Sequence, residues 1–169
     1  MVNRRVLTLS ILGATLVLSH GSSFAQVKKE QVAGAWTLVS YHSIAADGKK
    51  TDYFSAKPNG TLILDASGNY AMVLTNPERP KKFAGKNREE VSAEDYKSAG
   101  MGLVAQHGTW SVSADGKKLV RKVTGGFNPE IAGREQTPDL ALNGDELKLT
   151  DQTSGVTGGK VEQTYRRVK

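Results

Sequence analysis

Histidines, cysteines and clustered carboxylates supply most acid–base, nucleophilic and metal chemistry, and this chain has few of them. It has no cysteine, and beyond residue 25 it has two histidines, His42 and His107. A zinc site would therefore need carboxylate ligands, and no spacing of acidic residues beside either histidine indicates one. His42 shares a face of its predicted strand with Trp36, and His107 precedes another predicted strand. We interpret both as polar residues at strand ends and predict no metal and no cofactor.

The motifs of common enzyme and nucleotide-binding families are also missing from the sequence. There is no Gly-x-Ser-x-Gly elbow, no P-loop and no dinucleotide fingerprint. The formal net charge is +6, and basic residues cluster only mildly, at 79–88 and 166–169. Neither cluster has the interleaved aromatic residues of a single-strand binding face. The sequence therefore argues against a nucleic-acid partner.

Residues 1–25 have the pattern of a secretory signal peptide. Arg4 and Arg5 precede an apolar run over residues 6–18, and Ser23–Ala25 has small residues at the positions that signal peptidase reads. As a helix, this run would rise only about 20 Å, less than the roughly 30 Å of a bilayer core, so we predict no membrane span. We expect cleavage after Ala25 and export to the periplasm or the exterior, by the general secretory or the twin-arginine route.

Residues 26–169 are predicted to form one all-β domain. The first strand, 34–42, mixes polar and apolar residues on both of its alternating faces, which is typical of a barrel wall. Gly-containing turns such as 66–69 and 114–116 separate later segments. The predicted strands are 34–42, 60–65, 70–75, 108–112, 118–123, 134–142, 146–150 and 160–167. Eight strands joined by hairpins favour an antiparallel up-and-down barrel, which we expect to be a monomer.

One helix and one irregular strand are predicted within this barrel. Ser92 is a candidate N-cap with Asp95 three residues later, so a helix is expected between the third and fourth strands, ending at about Val104. Its apolar stripe would either plug the barrel or form a lid over the cavity mouth. Pro138 cannot donate to a strand ladder, which predicts a bulge or an edge in the sixth strand.

Several segments follow one another in a distinctive order: 34–41, the hairpin after Gly60, 79–83, the helix around 94–96, 108–110, 133–134, 145–149 and 165–168. This order resembles that of the bacterial and fungal lipocalin-like domain proteins. The resemblance covers nearly all of residues 26–169 and implies a lipocalin or calycin barrel. It also implies that an arginine of the last strand covers the tryptophan of the first. Here the pair would be Trp36 and Arg167, with Arg166 as the alternative, and its role would be structural closure of the barrel.

A barrel of this type can hold a small hydrophobic or amphipathic ligand. The side chains expected to line its cavity are Leu38, His42, Tyr70, Met72, Leu74 and Trp110. The same side chains could instead fill the interior as an ordinary core, with no ligand.

An enzyme is the alternative from a different class of function. The cavity would then serve an isomerase, a cyclase or a hydrolase-like activity, which needs His42 or a buried carboxylate against the substrate. The strands of Trp36, Met72 and Trp110 carry no acidic residue on their predicted inner faces. We therefore favour a binding protein over an enzyme.

Overall fold

The computed structural model describes residues 26–80, 82–83, 87–154 and 157–169. The predicted signal peptide, 1–25, lies outside these residues. The described part of the chain forms one antiparallel β-sheet, which curves into a half-barrel and carries a few short helices. The all-β prediction is therefore confirmed.

The sheet is built mainly from consecutive hairpins. Its strands are β1 (Gly34–Ile44), β2 (Lys50–Asp52), β3 (Asn59–Leu64), β4 (Asn69–Thr75), β5 (Leu103–Val112), β6 (Leu119–Gly126), β7 (Glu135–Gln136), β8 (Asp139–Asn143), β9 (Glu146–Asp151) and β10 (Lys160–Arg167). Hydrogen-bonded neighbours follow the order β7-β6-β5-β4-β3-β1-β10-β9-β8, and the short β2 pairs with β1. The first long strand thus lies beside the last one.

The prediction of eight strands is wrong, because the described residues form ten. One additional strand is β2, a three-residue segment at the edge of β1. The other arises because the predicted strand 134–142 is divided into β7 and β8 at Thr137 and Pro138. Proline has no N–H to donate, so it interrupts the ladder, although its carbonyl oxygen accepts a hydrogen bond from Leu119 N at 3.1 Å.

The segment 135–143 links the two ends of the strand order. On one side, β7 pairs with β6, and Lys118 and Asp139 continue this contact as an antiparallel bridge. The side chains of these two residues also form an ion pair, with 2.7 Å between Nζ and Oδ1. On the other side, β8 pairs with β9 along its full length. β7 and β8, the two edge strands of the half-barrel, are therefore joined by the chain between them and by the bridge from Lys118 to Asp139.

The prediction of a single helix is incomplete. The described residues contain α1 (Lys29–Val32), α2 (Ala93–Met101) and 3₁₀ turns at Arg88–Glu90 and Pro129–Ile131. Helix α2 lies between β4 and β5, and the hydroxyl of Ser92 caps it by accepting a hydrogen bond from Asp95 N at 3.1 Å. It ends before the predicted Val104 because that residue already belongs to β5. Among the described residues, no helix has both the length and the apolar character needed to cross a bilayer.

Trp36 and Arg167 meet where β1 lies beside β10. Trp36 is fully buried, and its indole Nε1 donates a hydrogen bond to Val32 O at 2.9 Å. The guanidinium carbon of Arg167 lies 4.1 Å from the Trp36 ring centroid, while Nη1 donates to Ala33 O at 2.8 Å. Gly34 has a φ of +136°, and a Cβ there would stand 2.8 Å from Nη1 of Arg167. Glycine at 34 therefore leaves room for the cation over the indole.

Candidate ligand-binding cleft

A cleft of about 450 Å³ opens between the end of α2, the first half of β5 and the 3₁₀ turn that follows β6. Its apolar lining includes Met101, Leu103, Val104, Phe127, Pro129 and Ile131. Ligand pockets of roughly 300–1,000 Å³ with mainly apolar walls are typical of small-molecule sites. The size and lining of this cleft therefore fit a small apolar molecule.

Phe127 lies in the wall of the cleft, where its backbone bonds to β5 and its ring packs against Gly100 of α2. Its N–H donates to Ala105 O at 2.8 Å, which extends the contact between the ends of β6 and β5. Its ring lies against Gly100 of α2, where a Cβ would stand only 2.9 Å from Phe127 Cζ. The lack of a side chain at 100 thus lets the helix and the aromatic ring approach each other.

Two apolar side chains of the cleft face water. Met101 is 75% exposed and Phe127 is 56% exposed. Exposed apolar surface that borders a concave site is typical of an interaction site, because covering it releases ordered water. An apolar ligand would gain binding free energy from these two residues.

The polar groups of the cleft can donate and accept hydrogen bonds but supply no acid or base near neutral pH. Among the described residues, the lining contributes the amides of Gln106, Asn128 and Gln136 and the hydroxyl of Tyr53, with no histidine, carboxylate or lysine. Burial raises the pKa of Tyr53 above its ordinary value. The described residues contain no group of three or more histidine, cysteine or carboxylate side chains that could hold a metal ion.

A second, smaller cavity lies behind the cleft. Its volume is about 20 Å³, which is room for roughly one water molecule. Val104, Gln106 and Gln136 line both cavities. Gln106 Nε2 donates to Gln136 Oε1 at 2.9 Å, so this amide pair lies at the boundary between the two. Arg121 and Tyr41 line the inner cavity but not the cleft.

The family model for the lipocalin-like domain matches residues 33–167, a range that spans every strand of the sheet. The chain belongs to the lipocalin-like domain family. No curated protein sequence matches it. A similar solved structure is that of a single-residue variant of the fluorescent protein UnaG, at 15% identity and a TM-score of 0.37, covering 82% of this chain and 97% of that one. A likeness at this level carries no functional argument.

The apolar residues predicted to line the cavity of this lipocalin-like domain lie in its core. Those that are buried in one continuous cluster are Leu38, Tyr70, Met72, Leu74 and Trp110. Met72 also lines the inner cavity, and none of the five lines the 450 Å³ cleft. The described interior is thus largely filled, and the cleft beside α2 is one of the open spaces that remain at the surface of the domain.

His42, the sixth predicted cavity residue, lies on β1 away from the cleft lining. Its Nε2 is 3.2 Å from Asp52 Oδ1 of β2, and both side chains are partly exposed. Its Nδ1 is buried and has no hydrogen-bond partner in the part of the chain that the structure describes. His107 is exposed on β5, where a Cβ at Gly125 would stand 2.9 Å from its Nε2. Neither histidine belongs to the lining of the cleft.

Sequence reasoning did not find Met101, Phe127 or Arg121. The first two stand at the end of a helix and beyond the end of a strand, where periodicity is lost. Arg121, however, carries a usable signal, because it shares a strand face with Leu119 and Val123 under period-two alternation. An arginine between two aliphatic residues on one face indicates a buried cation.

Proposed function

We propose that this lipocalin-like domain binds a small hydrophobic or amphipathic molecule in the cleft beside α2. The observation that carries the proposal is an apolar cleft of about 450 Å³ in which Met101 and Phe127 remain exposed. The filled core supports this location over the interior, since the cavity behind the cleft has a volume of only about 20 Å³. In this proposal α2 forms one wall of the site, and its end at Gly100 and Met101 contacts the ligand.

We also propose that the protein does this outside the cytoplasm. The support is the sequence pattern of residues 1–25, with two arginines, an apolar run and small residues before position 26. A carrier that meets its ligand in the periplasm or the exterior fits a chain without cysteine, because its fold does not depend on disulfides there.

Nile red, a neutral dye that fluoresces in apolar surroundings, tests the proposed function directly. We expect saturable binding by the protein that begins at Gln26, and a loss of about tenfold in affinity in Phe127→Ala, because the ligand then loses most of one aromatic contact. Phe83→Ala is the matched control. Phe83 is similarly exposed at 41%, but its ring lies 5.4 Å from that of Tyr96 and outside the cleft lining.

The two phenylalanine variants separate the cleft from the rest of the surface. We expect Phe83→Ala to bind Nile red with the affinity of the unchanged protein. Equal loss in both variants, or no saturable binding by the unchanged protein, contradicts the proposal.

A further inference from the structure

Arg121 is a buried cation on the inner face of the sheet. It alternates with Leu119 and Val123 along β6, and only 4% of its surface is exposed. A guanidinium remains protonated at every pH at which proteins fold, and it carries five N–H donors. Burial of such a group destabilises the folded state unless an anion or several acceptors surround it.

Within the described part of the chain, Arg121 has no anionic partner. None of the ion pairs formed there within 4.0 Å includes it. Its Nη1 lies 3.6 Å from Met72 Sδ, a weak acceptor, and its Cζ lies 5.9 Å from the ring centroid of Tyr70. Its Nε is buried with no hydrogen-bond partner. The guanidinium therefore retains donors for a further acceptor.

The tyrosines around Arg121 do not supply the missing charge. Burial raises the pKa of Tyr41 to about 12, and burial also raises the pKa values of Tyr70 and Tyr165 above their ordinary range. All three hydroxyls are therefore neutral near pH 7. The hydroxyl of Tyr70 is itself buried without a hydrogen-bond partner among the described residues, but Tyr70 does not line the inner cavity.

Asp151 is the carboxylate that the described lining of the inner cavity contains. Its Oδ1 accepts a hydrogen bond from Thr153 N at 3.2 Å, and it forms no ion pair with Arg121. An anion that enters the inner cavity would thus meet the unused donors of the Arg121 guanidinium and one repelling charge, that of Asp151. Pairing between Asp151 and Arg121 is the outcome that the experiment below must exclude.

We infer that Arg121 binds the carboxylate of an amphipathic ligand whose apolar part occupies the cleft, an inference that rests on the proposed function. A planar carboxylate can accept two parallel hydrogen bonds from a guanidinium. The inner cavity shares Val104, Gln106 and Gln136 with the cleft, so the two spaces adjoin at these side chains. Because the inner cavity holds about one water, the headgroup enters by separating the amide pair of Gln106 and Gln136.

Decanoate and 1-decanol, which have the same alkyl chain and differ in headgroup charge, test this inference. Affinities are measured at pH 7 by displacement of Nile red. We expect the unchanged protein to bind decanoate about tenfold more tightly than 1-decanol, and Arg121→Met to remove that preference by weakening decanoate alone. Arg166→Met, the same substitution at an exposed arginine of β10, is the matched control and should keep the preference.

Each outcome of this experiment has a defined meaning. Equal affinities in the unchanged protein, or an undiminished preference in Arg121→Met, overturns the inference. The first result is the one expected if Arg121 pairs with Asp151, because the charge of the guanidinium is then already compensated. Binding of 1-decanol without a preference for decanoate leaves the proposed function intact, whereas binding of neither compound contradicts it.

Arg121→Lys provides the test if Arg121→Met does not fold. It keeps a positive charge at this position of the inner cavity and removes the planar fork that would bind both carboxylate oxygens. We expect it to weaken decanoate about threefold while 1-decanol is unaffected, since one of the two hydrogen bonds to the carboxylate is lost. An unchanged affinity for decanoate contradicts the inference.

Discussion

Trp36→Ala is expected to lower the free energy of unfolding by about 4 kcal/mol, which is typical of the truncation of a large buried aromatic side chain to alanine. The indole is fully buried at the junction of the first and last strands. Its removal deletes the hydrogen bond to Val32 O and the ring over which the guanidinium of Arg167 lies, and it leaves a cavity. Urea denaturation followed by circular dichroism measures the change.

Val39→Ala is the control on the same strand. Val39 is 44% exposed, so truncation there should change the free energy of unfolding by about 0.5 kcal/mol or less. If Trp36→Ala costs no more than Val39→Ala, the contact between β1 and β10 does not depend on the indole, and our account of this junction is wrong.

Gly108→Ala is expected to cost about 3 kcal/mol or more, because an added methyl group would collide with backbone instead of with a movable side chain. A Cβ at 108 would stand 2.0 Å from Lys122 O and 2.8 Å from Thr124 N. The pairing of β5 with β6 shifts register between His107 and Gly108, which brings the two backbones close together. A side chain at 108 must therefore displace β6. Urea denaturation reports the loss.

Gly159→Ala tests whether any glycine-to-alanine change has this effect. Among the described residues, a Cβ at 159 would have no atom within 4 Å apart from those of Gly159 and its chain neighbours. We expect its effect on the free energy of unfolding to stay within about 0.5 kcal/mol. Equal effects at the two positions would show that the close approach of β6 to Gly108 does not limit stability.

Local sequence predicts the hairpins of this fold well because their turns are short and chemically specific. The hairpin expected at 60–65 and 70–75 forms at Asn59–Leu64 and Asn69–Thr75, and Gly68 in its turn has a φ of +103°. The division of the sixth predicted strand follows from one residue, Pro138, whose irregularity was expected although its consequence for the strand count was not. The extra strand β2 has only three residues, too few for a pattern to indicate it.

The cleft is harder to predict because residues distant in sequence form it. Met101 comes from the end of α2 and Phe127 from the turn after β6, and they share a wall only because Gly100 lets the ring approach the helix. Alternation correctly places Met72 and Trp110 on the inner face, but it does not indicate whether that interior is hollow. Only packing in three dimensions shows that those side chains fill the core and that a cleft lies beside α2.

The central claim is that the apolar cleft beside α2 is the ligand site. The most direct test is a titration of the ¹⁵N-labelled protein with 1-decanol, followed by backbone amide NMR shifts. We predict saturable shift changes concentrated in the segments 100–106 and 127–131, which contain most of the residues that line the cleft. No saturable change, or changes concentrated in the separate groove around Val27 and 140–143, would contradict the account.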